Sequence, residues 1–124
     1  MATKYQELVA WQLADELRRQ IVAATSAGSF AQDYRLGNQV RAAANSASAN
    51  IAEGFKRFHP KEFAQFLKYA RASLAEINVH LDDARDRRHI DSAEHAALTK
   101  QAARTAIACA RLHAYLRTAK TPTR

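Results

Sequence analysis

The chain has 124 residues, of which 48% are apolar and 25% charged; this is typical of one globular domain and argues against a disordered chain. Alanine occupies 28 positions, whereas glycine occupies three and proline two, so we expect long helices with few turns and neither a β-sandwich nor a Rossmann-like fold. The net charge of +7 favours polyanionic partners, meaning nucleic acid or an anionic membrane surface.

Apolar residues recur at spacings of three and four in four segments, which is the pattern of amphipathic helices. The predicted helices cover approximately residues 5–25, 38–57, 60–87 and 92–118 of a single domain, residues 1–124. The third segment alternates the two spacings over three heptads, as in helices that pack side by side with a left-handed crossing. Its apolar positions are Phe63, Leu67, Ala70, Leu74, Ile77, Leu81 and Ala84.

Turn and capping signals separate these segments. Gly28 is available to cap the end of the first helix, and Pro60 fits the first turn of the third. Asp91 followed by Glu94 is typical of a capping box that opens the fourth helix. Four long helices joined by short loops predict an all-α fold, an antiparallel up-down-up-down four-helix bundle.

The single cysteine and the amino-terminal segment predict the compartment. Cys109 has no partner for an intramolecular disulfide and falls in an apolar helical stripe, so we expect a buried thiol in a reducing compartment. The first residues lack the apolar run of a signal peptide, and no segment reaches the roughly 18 apolar residues of a membrane span. The sequence therefore predicts a cytoplasmic protein with no membrane partner.

The fourth helix carries a second stripe of mostly small residues: Ala96, Ala103, Ile107, Ala110 and Ala114. Small residues let another helix approach closely, which predicts burial on a second side through self-association. Alternatively, alanine stands there simply because it is a good surface helix former.

Polar residues interrupt the apolar face of the second helix. Asn50 falls on that face and Glu53 lies one turn beyond it; such groups are costly to bury without hydrogen-bond partners. The third helix offers Ser73 and Glu76 as partners. We therefore predict a structural polar core that fixes helix register, rather than a hydrolytic site, because no histidine lies in the motif to act as a base. Its members are Ser46, Asn50, Glu53, Gly54, Ser73 and Glu76.

Two sequence patterns surround these residues. The first comprises Gln39, Ser46 and the run Asn50-Ile51-Ala52-Glu53-Gly54; the second comprises Glu62, Phe63, Phe66, Leu67, Ala70, Ser73, Leu74 and Glu76. Together with an opening that includes Tyr5, Leu8 and Trp11, they resemble the 23S rRNA-intervening-sequence proteins, also called the four helix bundle protein family. The resemblance covers roughly residues 5–90.

The chain departs from that family's pattern at a few positions. Arg88-His89-Ile90 replaces the usual Gly-Tyr-Ile, and Gly37 stands where a serine or threonine often caps the second helix. The resemblance implies a four-helix bundle that assembles as a ring-like homopentamer. No enzymatic activity is established for the family.

Basic residues concentrate in two blocks. Residues 34–71 carry seven basic and two acidic groups, and residues 95–124 carry six basic groups and no acidic one. The predicted nucleic-acid-binding residues are Arg41, Lys56, Arg57, Lys61, Lys68, Arg71, Arg104 and Arg111. The second block also contains Lys100, Arg117, Lys120 and Arg124. Phe55, Phe58 and His59 lie among the first group and could offer stacking surfaces. The alternative is that both blocks are simply solvated charged faces.

No constellation in the sequence predicts a metal, a cofactor or a catalytic site. Di-iron bundles use a Glu-x-x-His motif on two helices, whereas Glu76 and His80 are four residues apart and have no counterpart. We therefore predict a non-enzymatic homo-oligomer that binds structured nucleic acid, with RNA favoured over DNA, through basic faces. The alternative is a protein-protein interaction scaffold that does not bind nucleic acid.

Overall fold

The computed structural model describes residues 2–119 as four α-helices, with no strand in that range. Helix α1 is Val9–Thr25, α2 is Tyr34–Phe55, α3 is Pro60–Asp86 and α4 is Ser92–Thr118. Short 3₁₀ turns at Tyr5–Glu7 and Gly28–Gln32 precede α1 and α2. Among these four helices, none is both long and apolar enough to cross a membrane.

The helices surround one apolar core. Helices α1 and α3 each contact both α2 and α4, and the most extensive contacts are those between α2 and α3. All seven predicted apolar positions of α3 are buried, as are Leu17, Ile51 and Cys109 from the other three helices. The prediction of an all-helical, four-helix protein is confirmed.

The first two helices begin at residues other than those predicted. Helix α1 starts at Val9 instead of residue 5, because the Gln12 amide donates to the Gln6 carbonyl at 2.9 Å and holds the preceding turn. Helix α2 starts four residues early because the Asp33 carboxylate accepts from the Leu36 N–H at 3.2 Å and caps the helix. Gly37, predicted at the cap, is therefore buried inside α2.

The other turn signals give mixed results. Pro60 occupies the first turn of α3, and Asp91 caps α4 by accepting from the Glu94 N–H at 2.8 Å, both as predicted. Gly28 does not cap α1, which ends at Thr25 with Ser26 as its C-cap residue. Instead, Gly28 has a φ of 58° and opens the following 3₁₀ turn, in the left-handed conformation that glycine adopts most easily.

Helix α3 ends in a Schellman motif. The His89 N–H donates to the Ala84 carbonyl and the Arg88 N–H to the Arg85 carbonyl, each at 2.9 Å. Arg88 has a φ of 64°, a left-handed conformation that costs a residue with a Cβ about 1–2 kcal/mol. This gives a physical reason for the glycine that usually stands there in the proteins that the sequence resembles.

Hydrogen bonds join the α1–α2 connection to the α3–α4 connection. Asp33 Oδ2 accepts from Arg87 Nη1 at 2.9 Å and lies 2.8 Å from His89 Nε2. His89 Nδ1 lies 2.8 Å from Ser29 Oγ, and the imidazole stacks on the buried ring of Phe30. The bonds from His89, Leu36 and Arg87 lower the pKa of Asp33. The carboxylate therefore stabilises the fold above its unfolded-state pKa of 3.8, and that stabilisation is lost as pH falls through the lower folded-state value.

Replacing Arg88 by glycine tests the cost of the left-handed residue. We expect Arg88→Gly to raise the free energy of unfolding by about 0.5–1 kcal/mol, because glycine removes the Cβ clash at some cost in unfolded-chain entropy. Urea denaturation measures the change. The matched control Arg88→Ala keeps a Cβ and should give no such gain. An equal gain in both variants would contradict this account, since it would point to loss of the arginine side chain.

Candidate nucleic-acid interface

A basic groove runs between α3 and α4. It consists of two adjoining cavities of about 420 and 370 Å³, and Lys68 lines both of them. Arg71 and Asn78 complete the polar lining of the larger cavity. Lys61 and Arg117 line the smaller one. We call this surface the α3/α4 groove.

Alanines create the groove and cations line its rim. Five of the nine residues around the larger cavity are alanines: Ala72, Ala75, Ala102, Ala103 and Ala106. Their short side chains leave open space between the helices, while longer basic side chains stand along it. Among residues 2–119, no acidic residue lines either cavity. The surface is therefore concave and positive, the form that concentrates anionic ligands.

The groove cations have no acidic partners in the described part of the chain. Within residues 2–119, no carboxylate oxygen lies within ion-pairing distance of Lys61, Lys68, Arg71 or Arg117. Several other arginines do form ion pairs, including Arg87 with Asp83 at 2.9 Å. These four unpaired cations thus line one groove.

Packing joins residues that the sequence placed in separate groups. Lys61, Lys68 and Arg71 belong to the first predicted basic block, and Arg117 to the second. His113, absent from the predicted set, lies with them. Burial, followed by the charges of Lys68, Arg71 and Arg117, lowers the pKa of His113 below its ordinary value of 6.5. His113 and Arg117 are four residues apart and therefore lie on one helix face. This spacing could have identified His113 from the sequence as a neighbour of Arg117.

Lys56 and Arg57 lie at the turn after α2, outside the groove lining. Lys56 is exposed, without an ion pair among the described residues. The Arg57 guanidinium pairs with Glu53 at 3.0 Å and sits 4.7 Å from the ring centre of Phe66. Its charge is therefore partly neutralised and its planar group already stacked.

The remaining predicted cations lie on other faces. Arg41 donates to the side chain of Asn38 on α2. Arg104 donates to Gln101, which in turn donates to the Leu13 carbonyl of α1. Arg111 lines a cavity of about 220 Å³ that α4 forms with the start of α1. The eight predicted residues do not form one surface. Lys120 and Arg124 lie outside the described residues.

The predicted aromatic residues do not all face solvent. Phe55 is half-buried against the core and makes an edge contact with Phe63, their ring centres 6.2 Å apart. Phe58 is half-buried and lies against the exposed His59. Phe55 therefore packs inward instead of offering a base-stacking surface.

Three members of the predicted polar core form a hydrogen-bonded cluster between α2 and α3. Ser73 Oγ donates to Ser46 Oγ at 2.9 Å. Asn50 Nδ2 donates to the Ser46 carbonyl at 2.8 Å and lies 3.1 Å from Ser46 Oγ. Within residues 2–119, no buried side-chain nitrogen or oxygen lacks a partner. The cluster therefore satisfies the polar groups where the two helices pack.

Both predicted carboxylates lie outside this cluster. Glu53 pairs with Arg57 and leaves 46% of its side chain exposed; Glu76 lies 3.3 Å from His80 and leaves 59% exposed. An ionised carboxylate costs less where water still reaches it, which accounts for the difference from the prediction. Gly54 is buried for steric reasons, since a Cβ there would lie 2.7 Å from Phe63 Cδ1 and 2.9 Å from Phe66 Cβ. Among the described residues, no group of three or more histidines, cysteines or carboxylates could hold a metal ion.

Comparison with known proteins identifies the family. The sequence profile described as 23S rRNA-intervening sequence protein matches residues 6–108, which is well over half of the chain. A search of curated proteins found no match. The matched region includes the polar cluster, Gly54 and the basic residues of α3. The chain belongs to the 23S rRNA-intervening sequence protein family.

Proposed function

We propose that this protein binds structured RNA through the α3/α4 groove. The observation that carries this proposal is the convergence of Lys61, Lys68, Arg71 and Arg117 on one concave surface, where the described part of the chain places no acidic residue. The family's name, which refers to an intervening sequence of 23S rRNA, supports RNA as the ligand class.

The expected mechanism is contact between basic side chains and phosphates. Lysine and arginine displace the counterions that surround a nucleic acid, and this release drives binding and makes it sensitive to salt. Alanines form much of the groove lining and offer no hydrogen bonds to base edges. Affinity should therefore depend on phosphate charge and shape more than on base sequence.

Charge reversal in the groove tests this proposal. Binding of a fluorescently labelled RNA hairpin is measured by anisotropy at about 50 and about 200 mM salt. We expect the double variant Lys68→Glu with Arg71→Glu to weaken binding by more than about tenfold at the lower salt, because two attractive contacts become repulsive. Wild-type affinity should fall steeply at the higher salt.

A matched variant separates local contact from overall charge. Arg104→Glu with Arg111→Glu changes the net charge by the same amount, but on the α1-facing side of α4. We expect it to lose no more than about threefold in affinity, since distant charges are screened. Equal losses in the two variants would contradict a binding site in the groove. Failure of the folded wild-type protein to bind at either salt would contradict nucleic-acid binding and favour the scaffold function.

We propose further that the helices alternate in direction and that the chain assembles as a homopentamer in the cytoplasm. Pairing of the end of α2 with the start of α3, through Gly54 and Phe63, supports alternation. The exposure of Val9 and Ile107, at 64% and 52%, together with the small-residue stripe on α4, supports burial in an assembly. The lone buried Cys109 suits a reducing compartment.

A crystal structure of the assembly tests both architectural proposals. We expect neighbouring helices in sequence to run antiparallel and five copies to pack around one axis, with the exposed side chains of Val9 and Ile107 buried between copies. A parallel pair of consecutive helices, or a different number of copies, would contradict the corresponding proposal.

We also infer that the protein works without catalysis. The nearest approach to a catalytic arrangement is the chain from Ser29 through His89 to Asp33, which has the order of a nucleophile, a base and an orienting acid. However, Asp33 Oδ2 also accepts a hydrogen bond from Arg87, whose positive charge balances that of the carboxylate. Asp33 would therefore stabilise a protonated His89 less than an unpaired carboxylate would. Asp33 is also occupied in capping α2. These bonds support a role in joining two loops.

A fluorophosphonate probe, which labels activated serines, tests this inference. We expect no labelling of the native protein, and none of the Ser29→Ala variant. Labelling of the native protein that disappears in Ser29→Ala would contradict a purely structural role for Ser29.

A further inference from the structure

His113 has an unusual position in the α3/α4 groove. Its half-buried imidazole lines the smaller cavity with Lys61 and Lys68 of α3, and with Arg117 one turn further along α4. No acidic residue lines this cavity, and no hydrogen bond occupies the ring among residues 2–119. The imidazole can therefore approach any anion that enters.

The groups around His113 disfavour its protonated form in the free protein. From α3, Lys61, Lys68 and Arg71 face it; from α4, Arg117 does. Cys109, one turn earlier on α4, is buried with its pKa raised to about 11 and so contributes no charge. Burial first, and then Lys68, Arg71 and Arg117, lower the pKa of His113 below 6.5.

We propose that His113 is a further phosphate-binding residue of the α3/α4 groove and that it binds in its protonated form, so that RNA binding takes up a proton. This inference rests on the proposed function. A phosphate in the smaller cavity would place negative charge among the same cations that disfavour the imidazolium. The protonated ring would then donate a charge-assisted hydrogen bond to a phosphate oxygen.

Proton uptake makes the affinity depend on pH in a defined direction. The pKa of His113 should be higher in the complex than in the free protein, so affinity rises as pH falls through the window between the two values. Above the pKa of the complex the affinity should be constant, and below that of the free protein it should level off. A difference of one pKa unit corresponds to about a tenfold change in affinity.

The test measures binding of a labelled RNA hairpin by anisotropy from about pH 5.5 to about pH 8 at fixed ionic strength. We expect wild-type affinity to increase by about threefold to tenfold from the upper to the lower end of this pH range. The affinity of the His113→Gln variant should change by less than about twofold over the same pH range, since glutamine does not titrate. His95→Gln is the matched control, because His95 lies 2.7 Å from Asp82 and lines neither cavity of the groove, and it should keep the wild-type dependence of affinity on pH.

Two results of the binding experiment would overturn the inference, and they have different meanings. If His113→Gln is folded and binds the hairpin with the pH dependence of the wild type, His113 is not the linked group, while RNA binding by the groove stands. If the wild-type protein binds at no pH, the proposed function fails as well. A proton NMR titration supplies an independent readout: the midpoint of the His113 ring resonance should move to higher pH when the hairpin is added, and an unchanged midpoint in bound protein would overturn the proposal.

Discussion

The apolar seam of α3 is the constraint on which the rest of the structure depends. Its seven apolar residues are all buried, and Leu67, Ala70 and Ile77 are fully enclosed. Once this seam faces the core, the two flanks of α3 have fixed neighbours. Ser73 meets Ser46 of α2 on one flank, whereas Lys68 and Arg71 line the groove against α4 on the other. One periodic pattern thus sets both the helix packing and the position of the basic surface.

The polar groups on the two flanks of α3 have different surroundings. Towards α2, serine and asparagine form a satisfied hydrogen-bonded cluster, and Gly54 allows close approach to Phe63. Towards α4, alanines keep the surface open and unpaired cations line it. The first arrangement stabilises a single register of two helices. The second leaves these charges unpaired, because no carboxylate of residues 2–119 lies in the groove lining.

Helical periodicity was sufficient to predict the four helices, because burial of one face repeats along each segment. The start of α2 was missed because its cap, Asp33, is also held by loop contacts with Arg87 and His89, more than 50 residues away in sequence. The polar core was predicted only in part. Helix spacing shows on which face of a helix a carboxylate lies, but it does not show whether water reaches that carboxylate. The groove combines Lys68 with His113, and only the packing of α3 on α4 brings these residues together.

The most direct test of the central claim is a map of the RNA-binding surface by backbone amide NMR. An RNA hairpin is added to the isotopically labelled protein at low salt, and the shifts of the amides are followed. The account predicts the largest changes along the α3/α4 groove, around Lys61, Lys68, Arg71 and His113, with little change around Arg41 or Arg104. Changes centred on α1 and α2, or spread evenly over every basic residue, would contradict a binding site built on the flank of α3.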